Sequence, residues 1–179
     1  MQGLRNKAGA GMKRGMSVSD LKRDFIDAMS TVVSTVTIVT TDGPAGSAGA
    51  TVSAMSSVSA DGEAPTLLVC LHHEARATAA ILENGCFCVN ALQSRQQDIA
   101  NVFASRTSAE GSDKFKAGEF GTLVTGAPSL VSALSSFDCR LQSHERIGTH
   151  HVMIGAVRAV RHAEGSPLLY GNRAYRDLA

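Results

Sequence analysis

The chain has 179 residues, 44% of them hydrophobic, and a formal net charge of +1. That length and composition suit one folded domain with a sizeable core and exclude a disordered chain. The near-neutral balance supplies no global pull toward nucleic acid or anionic membrane. An aromatic share of 4% without Trp leaves few platforms for stacking bases, and no run approaches the roughly 18 apolar residues needed to span a bilayer, so neither nucleic acid nor membrane is expected as a partner.

Residues 1–16, MQGLRNKAGAGMKRGM, carry four cations and no acid. They lack the apolar stretch of a secretory signal. They are read as a disordered basic extension, or as an over-long start with translation beginning at Met16, and the folded domain is expected over 17–179. SVSDLKRDFIDAMS, residues 17–30, predicts a helix capped by Ser17 or Ser19, with Leu21, Phe25, Ile26 and Met29 at helical spacing.

The β-branched run TVTIVTT at 35–41 predicts a strand, stopped by the turn chemistry of Asp42-Gly43-Pro44. The small-residue stretch 46–59 suits a strand with room on one face. PTLLVCLH predicts a third strand, residues 75–84 a helix, CFCVNAL at 86–92 a fourth strand, and 94–105 a helix with Ile99, Val102 and Phe103 on its apolar side. Residues 106–129 are polar and Gly-rich and predict a loop. The segments 132–145, 150–162 and 167–170 complete about seven strands; Ala133, Phe137, Cys139 and Leu141 are expected on one face of the first of these. The strands do not alternate regularly with helices, so a parallel doubly wound sheet is disfavoured and a closed antiparallel barrel with appended helices fits better.

Several chemistries have no motif here. The chain lacks a P-loop, a GxGxxG turn and HExxH, and AGSAG at 45–49 lacks the first Gly of GxSxG. Cys70, Cys86, Cys88 and Cys139 form no CxxC pair and read as reduced, buried thiols of a cytoplasmic protein, with Cys86 and Cys88 on one face of their strand. His72-His73 and His150-His151 are adjacent pairs. Neighbours on a strand point to opposite faces, so no metal site is expected.

Six blocks, in order, resemble the flavin reductase-like family: FIDAMSTVVSTVTIVTT, AGATVSAMSSVSADGEAPTLLVCL, NGCFCVNAL, QQDIANVFAS, GAPSLVSALSSFDCRL and GTHHVMIGAV, followed by PLLY and Tyr175. The resemblance spans about residues 23–178. It implies a mainly β fold, an antiparallel Greek-key split β-barrel of the FMN-binding type. It also implies an NAD(P)H-dependent reductase that transfers hydride from NADH or NADPH to FMN or FAD, acts as a homodimer and supplies reduced flavin to a flavin-dependent monooxygenase.

By the same resemblance, Ala50, Thr51, Val52 and Ser53 would edge the flavin ring, with Ser56, Ser57 and Val58 near its ribityl-phosphate side and Thr35, Val36 and Thr37 completing the wall. Small side chains there suit close approach of backbone to a flat ligand. The hydroxyl pair that the family usually places before its second helix is replaced by Ala75 and Ala77, with Arg76 between them as a candidate phosphate ligand. His150 matches the histidine of the family's Gly-Asp/Thr-His motif and would position the nicotinamide. Competing readings are a same-fold reductase of cob(II)alamin or a ferric chelate, a non-enzymatic flavin binder, and a barrel without ligand.

Overall fold

The computed structural model describes residues 17–178; the basic extension 1–16 lies outside them. Helix α1 (Val18–Thr31) opens as expected, with the Ser17 hydroxyl accepting the Asp20 amide at 3.1 Å. Its apolar stripe is present but buries none of its residues. Among the described residues, the only side-chain tie from α1 to the rest of the fold is Arg173 to Asp27 at 2.8 Å, beside a backbone bond from Asn172 to Ser30.

The expected strand over 35–41 divides in two. β1 (Ser34–Thr35) pairs with β11 (Leu169–Gly171), which also pairs with β12 (Ala174–Arg176), while β2 (Thr37–Thr41) enters the main sheet. Val36 sits at the break, where its amide donates to Leu168 and its carbonyl accepts from Leu92. The small-residue stretch also divides, into β3 (Ala48–Val52) and β4 (Met55–Ser59). With β5 (Thr66–His72), β6 (Cys86–Ala91), β9 (Ser135–Ile147) and β10 (His150–His162), these build a seven-stranded antiparallel sheet in the order β3-β2-β6-β9-β10-β5-β4. The sheet curls until its two edge strands meet at the Ser53-Ala54 link, where the Ala54 carbonyl accepts the Cys70 amide at 3.0 Å. This is a mainly β split barrel, as the sequence predicts.

β2 is buried along its whole length because it separates two apolar layers. Val39 joins Val69, Ile81, Phe87 and Met153 inside the barrel; Ile38 joins Leu92, Phe103, Leu130 and Leu168 outside it. The hydroxyls of β2 would be costly there without acceptors. Thr37, Thr40 and Thr41 donate to the carbonyls of Val52, Cys88 and Cys86 respectively.

Helix α2 (Arg76–Asn84) plugs the barrel with Ala77, Ala80 and Ile81, and ends at Gly85, whose φ of 67° is the left-handed cap that favours glycine. Helix α3 (Gln97–Phe103) buries Ala100 and Phe103. The expected loop 106–129 instead holds a 3-10 helix (Gly111–Ala117), strand β7 (Phe120–Thr122) and the start of β8 (Pro128–Leu130), which pairs with β7. The strand pattern there is too short to register as periodicity. β9 also departs from simple alternation: Ser136 and Asp138 are buried as well as Cys139. The turn before β8 covers its outer face, and Asp138 accepts the amides of Val124 and Thr125, each at 2.7 Å. Cys86 and Cys88 do share a face, packed with Ala127.

Candidate active site

The small residues of β3 form a shelf at the sheet edge. β3 pairs only with β2 in the ladder, so its outer row of backbone N–H and C=O groups faces away from the sheet. Gly49 is demanded by packing beneath the shelf. A Cβ there would lie 2.6 Å from the Phe103 ring, so Gly49→Ala is expected to destabilise the fold by ~1–3 kcal/mol through overpacking, measured by chemical denaturation. Thr51 is anchored by its hydroxyl, which donates to the Ala100 carbonyl at 2.7 Å and ties the shelf to α3.

Three clefts lie along this shelf. One, of about 300 Å³, runs over Ala50–Ala54 to Cys70, His72, Ala75 and His150. A second, of about 160 Å³, lies on the other side of Thr51–Ser53 against Val36, Arg106, Tyr170 and Tyr175. A third, of about 290 Å³, continues from Ala48 and Gly49 to Arg76, Ser105 and Lys114. Each alone is at or below the lower end of the roughly 300–1,000 Å³ usual for small-molecule sites; the first two share Thr51, Val52 and Ser53 as a common wall, and the third flanks the preceding residues of the same strand.

Charge is distributed unevenly along it. Arg76 and Lys114 mark one end, beside Glu110. Lys114 donates to the Ser105 hydroxyl at 2.8 Å, and partial burial pulls its ammonium below the usual lysine range, opposed by Glu110. The Arg106 guanidinium lies 5.9 and 6.0 Å from the ring centres of Tyr170 and Tyr175, within cation–π range. Tyr175 donates its hydroxyl proton to Asn101 at 2.9 Å, and burial pushes its phenol up.

At the far end the ring of His150 meets His72 edge-on, with centres 5.3 Å apart, and its Nδ1 is 3.0 Å from the Thr149 hydroxyl. His151 turns instead toward His144, 5.5 Å away. Partial burial, then His144, Arg146 and His73, pull the His151 imidazole below its ordinary value.

The structure brings together Val36, Ala50, Thr51, Val52, Ser53, Arg76 and His150 around these clefts, and Thr35 lies in β1 beside them. Two of the expected groups lie away from these clefts. Thr37 is fully buried and its hydroxyl donates to Val52, so it supports the shelf from behind. Ser56, Ser57 and Val58 lie on β4, past the end of the shelf opposite Arg76; Ser57 and Val58 line a separate apolar groove with Phe137 and Val160. Arg76 and Lys114 flank Ala48 and Gly49, the end of β3 opposite to the one that leads into β4.

Thr78, just after the substituted hydroxyl pair, spends its side chain on the His72 carbonyl at 2.8 Å. Arg106, Lys114 and Ser105 carry no signal in the sequence, since they come from scattered loops; Tyr170 is marked only by the PLLY block, and His72 only as half of an adjacent histidine pair.

The chain matches the flavin reductase-like domain over residues 29–179. It belongs to the flavin reductase-like family and is by class an oxidoreductase. It is 44% identical over 155 residues to the FMN reductase (NADH) RutF 1 of Methylorubrum extorquens, covering 86% of this chain and 75% of that protein. It is 41% identical over 176 residues to the FMN reductase (NADH) RutF of Escherichia coli, covering 98% and 90%. Among solved structures, BorF, the flavin reductase component of a bacterial two-component tryptophan halogenase, superposes with a TM-score of 0.78 at 29% identity, covering 88% of this chain and 98% of that one.

Proposed function

We propose that the clefts along β3 together bind FMN or FAD, with the ring on the Ala50–Ser53 shelf and the phosphate toward Arg76 and Lys114, and that NADH docks at the His150 end. The observation that carries this reading is the shelf itself: a side-chain-poor edge strand with free backbone donors and acceptors, cationic at one end and imidazole-lined at the other. Backbone groups can hydrogen-bond the polar edge of a planar ring without adding charge, and nearby cations favour phosphate and the anionic reduced ring. The bound flavin supplies the hydride-accepting centre.

This chain's residues supply placement. No nucleophile or base is required of them; they would hold the nicotinamide against the flavin, so that orientation itself supplies the rate. The named relatives act with NADH and FMN, which favours that pair here. The reduced product passes to a second flavin-dependent component, a monooxygenase; BorF is likewise a reductase component of a two-component system, its partner there being a tryptophan halogenase. NADH oxidation measured with FMN, FAD, cobalamin and a ferric chelate in turn tests the reading; turnover only with the last two would overturn it.

His150→Ala is expected to raise the KM for NADH about tenfold while the flavin Kd stays within about twofold, since one polar contact of about 1.4 kcal/mol is removed at the nicotinamide end only. Equal losses for both ligands in steady-state kinetics and flavin titration would refute that role.

Cys70 offers a second check. It is the half-buried thiol of the four and lines the cleft. Burial pushes Cys70 up, Cys88 up to about 12 and Cys139 higher still, Cys88 and Cys139 helped by the Asp138 carboxylate. The buried thiols therefore stay protonated and shielded, and alkylation followed by mass spectrometry is expected to modify Cys70 first. Flavin at ten times its Kd should slow that reaction about tenfold by occupancy.

The protein acts as a homodimer in this reading. The exposed stripe of α1, with Phe25 64% and Met29 50% exposed, buries nothing in one chain, and a second copy would cover it. The four free cysteines fit a reducing, cytoplasmic setting, and no helix among the described residues is long and apolar enough to cross a membrane.

A further inference from the structure

Five of the protein's six histidines converge on one end of the barrel, where β5 ends and β10 begins. The expectation that adjacent histidines diverge fails at His72-His73. β5 ends at His72, so His73 is already in a turn and escapes strand alternation. The two rings stack with centres 4.9 Å apart. Glu74 follows in the same turn, and one donor atom from each of His72, His73 and Glu74 lies within 4.8 Å of the others. Across the ladder, His150 is the register partner of His72.

We propose that His72, His73 and Glu74, with His150 beside them, form a site for a divalent zinc-type cation at the mouth of the shelf cleft. Two imidazoles and a carboxylate are a donor set that Zn2+ accepts, with a fourth position left for His150 or water. The backbone that carries them is fixed: the His73 amide donates to Thr149, the Ala75 amide to His72, and the Thr78 hydroxyl to the His72 carbonyl. Only side-chain rotation is then needed. Metal bonds of about 2.0–2.1 Å require donors about 3.4 Å apart, and exposed side chains can close that gap at small cost. The His72 Nδ1 lone pair, which accepts the Glu74 amide at 3.2 Å, also faces the Glu74 carboxylate at 4.0 Å. A cation between them takes that lone pair in place of the amide and neutralises the carboxylate.

The position has a consequence. His72 and His150 are lining residues of the cleft over Ala50–Ala54. A cation that recruits them narrows the mouth and withdraws His150 from its role toward nicotinamide. That consequence rests on the flavin-cleft reading; cation binding itself does not.

Equilibrium dialysis of the metal-free full chain against Zn2+ alone tests the site without reference to activity. About one ion per chain is expected, with affinity reduced at least about tenfold in both His73→Ala and Glu74→Gln. His162→Ala, at the other end of β10, should be unaffected. Unchanged affinity in His73→Ala and Glu74→Gln would overturn the site. A second measurement takes the KM for NADH with and without saturating Zn2+. A rise of at least about tenfold in the parent chain, abolished by His73→Ala and by chelator, is expected; an unchanged KM with Zn2+ bound would overturn the coupling. A chain that binds Zn2+ as described but no flavin would refute the cleft assignment and leave the cation site standing.

Discussion

Thr51→Trp is expected to abolish flavin binding, with the Kd rising at least about 100-fold and NADH oxidation falling in step. Thr51 is the one shelf residue anchored to α3, and it borders the clefts on both sides of the strand. An indole there fills the space over the shelf that a planar ring needs. Losing about 2.7 kcal/mol of binding, the equivalent of 100-fold, requires only that part of the ring be kept off the strand.

The substitution also removes the hydroxyl bond to Ala100, which is worth about 1 kcal/mol. Thr51→Val separates the two effects: it removes the bond but keeps the volume. Fluorescence titration with FMN and FAD is expected to find Thr51→Val close to the parent and Thr51→Trp without measurable binding. Tight flavin binding by Thr51→Trp would place the ring elsewhere.

Phe87→Ala carries the largest expected cost in stability, about 3–5 kcal/mol, with Tm lowered by roughly 10 °C. Phe87 is fully buried in β6, at the centre of the inner core with Val39, Val69 and Met153. Its ring lies over Gly155 of β10, so close that a Cβ at Gly155 would stand 2.5 Å from Cζ and 2.9 Å from the Cys139 Cβ. Ring and glycine are therefore two halves of one packing solution. Gly155→Val alone should destabilise the fold by about 1–3 kcal/mol or more, because neither the ring nor the β9 backbone can withdraw from a closed barrel. Combined with Phe87→Ala, part of that cost should vanish, since the valine enters the space the ring has left. Denaturant melts of the two single variants and the double variant measure this coupling. Strict additivity would mean that the ring and Gly155 do not share their space.

How far the sequence carried the reading depends on the range of each interaction. The strand at 150–162 was legible because its apolar pattern is long, and its predicted bounds coincide with β10. The Ser17 cap and the helix at 75–84, found as Arg76–Asn84, rest on neighbours a few residues apart. The hairpin of β7 and β8 was not legible, because two three-residue strands carry no period. The strand breaks at Val36, within an unbroken β-branched run, for a reason that lies 132 residues away in sequence, the bond of its amide to Leu168. The shelf at Ala50–Ser53 could be singled out through six ordered blocks of resemblance. Thr37, which the same resemblance puts on the ligand wall, is fully buried with its hydroxyl on the Val52 carbonyl, a long-range contact that no local pattern signals.

By itself the sequence determined the class of fold, the small-residue strand and the histidine at its far end, since local propensity, alternation and ordered motifs are written in neighbouring residues. Only the tertiary structure decided that Arg106, Lys114 and Tyr170 face that strand, that β4 leads away from Arg76, and that His72, His73 and Glu74 gather in one turn beside His150. These meetings depend on which edges of a curled sheet come together and on where a strand stops. Both are set by packing among residues far apart in the chain, which no local pattern encodes.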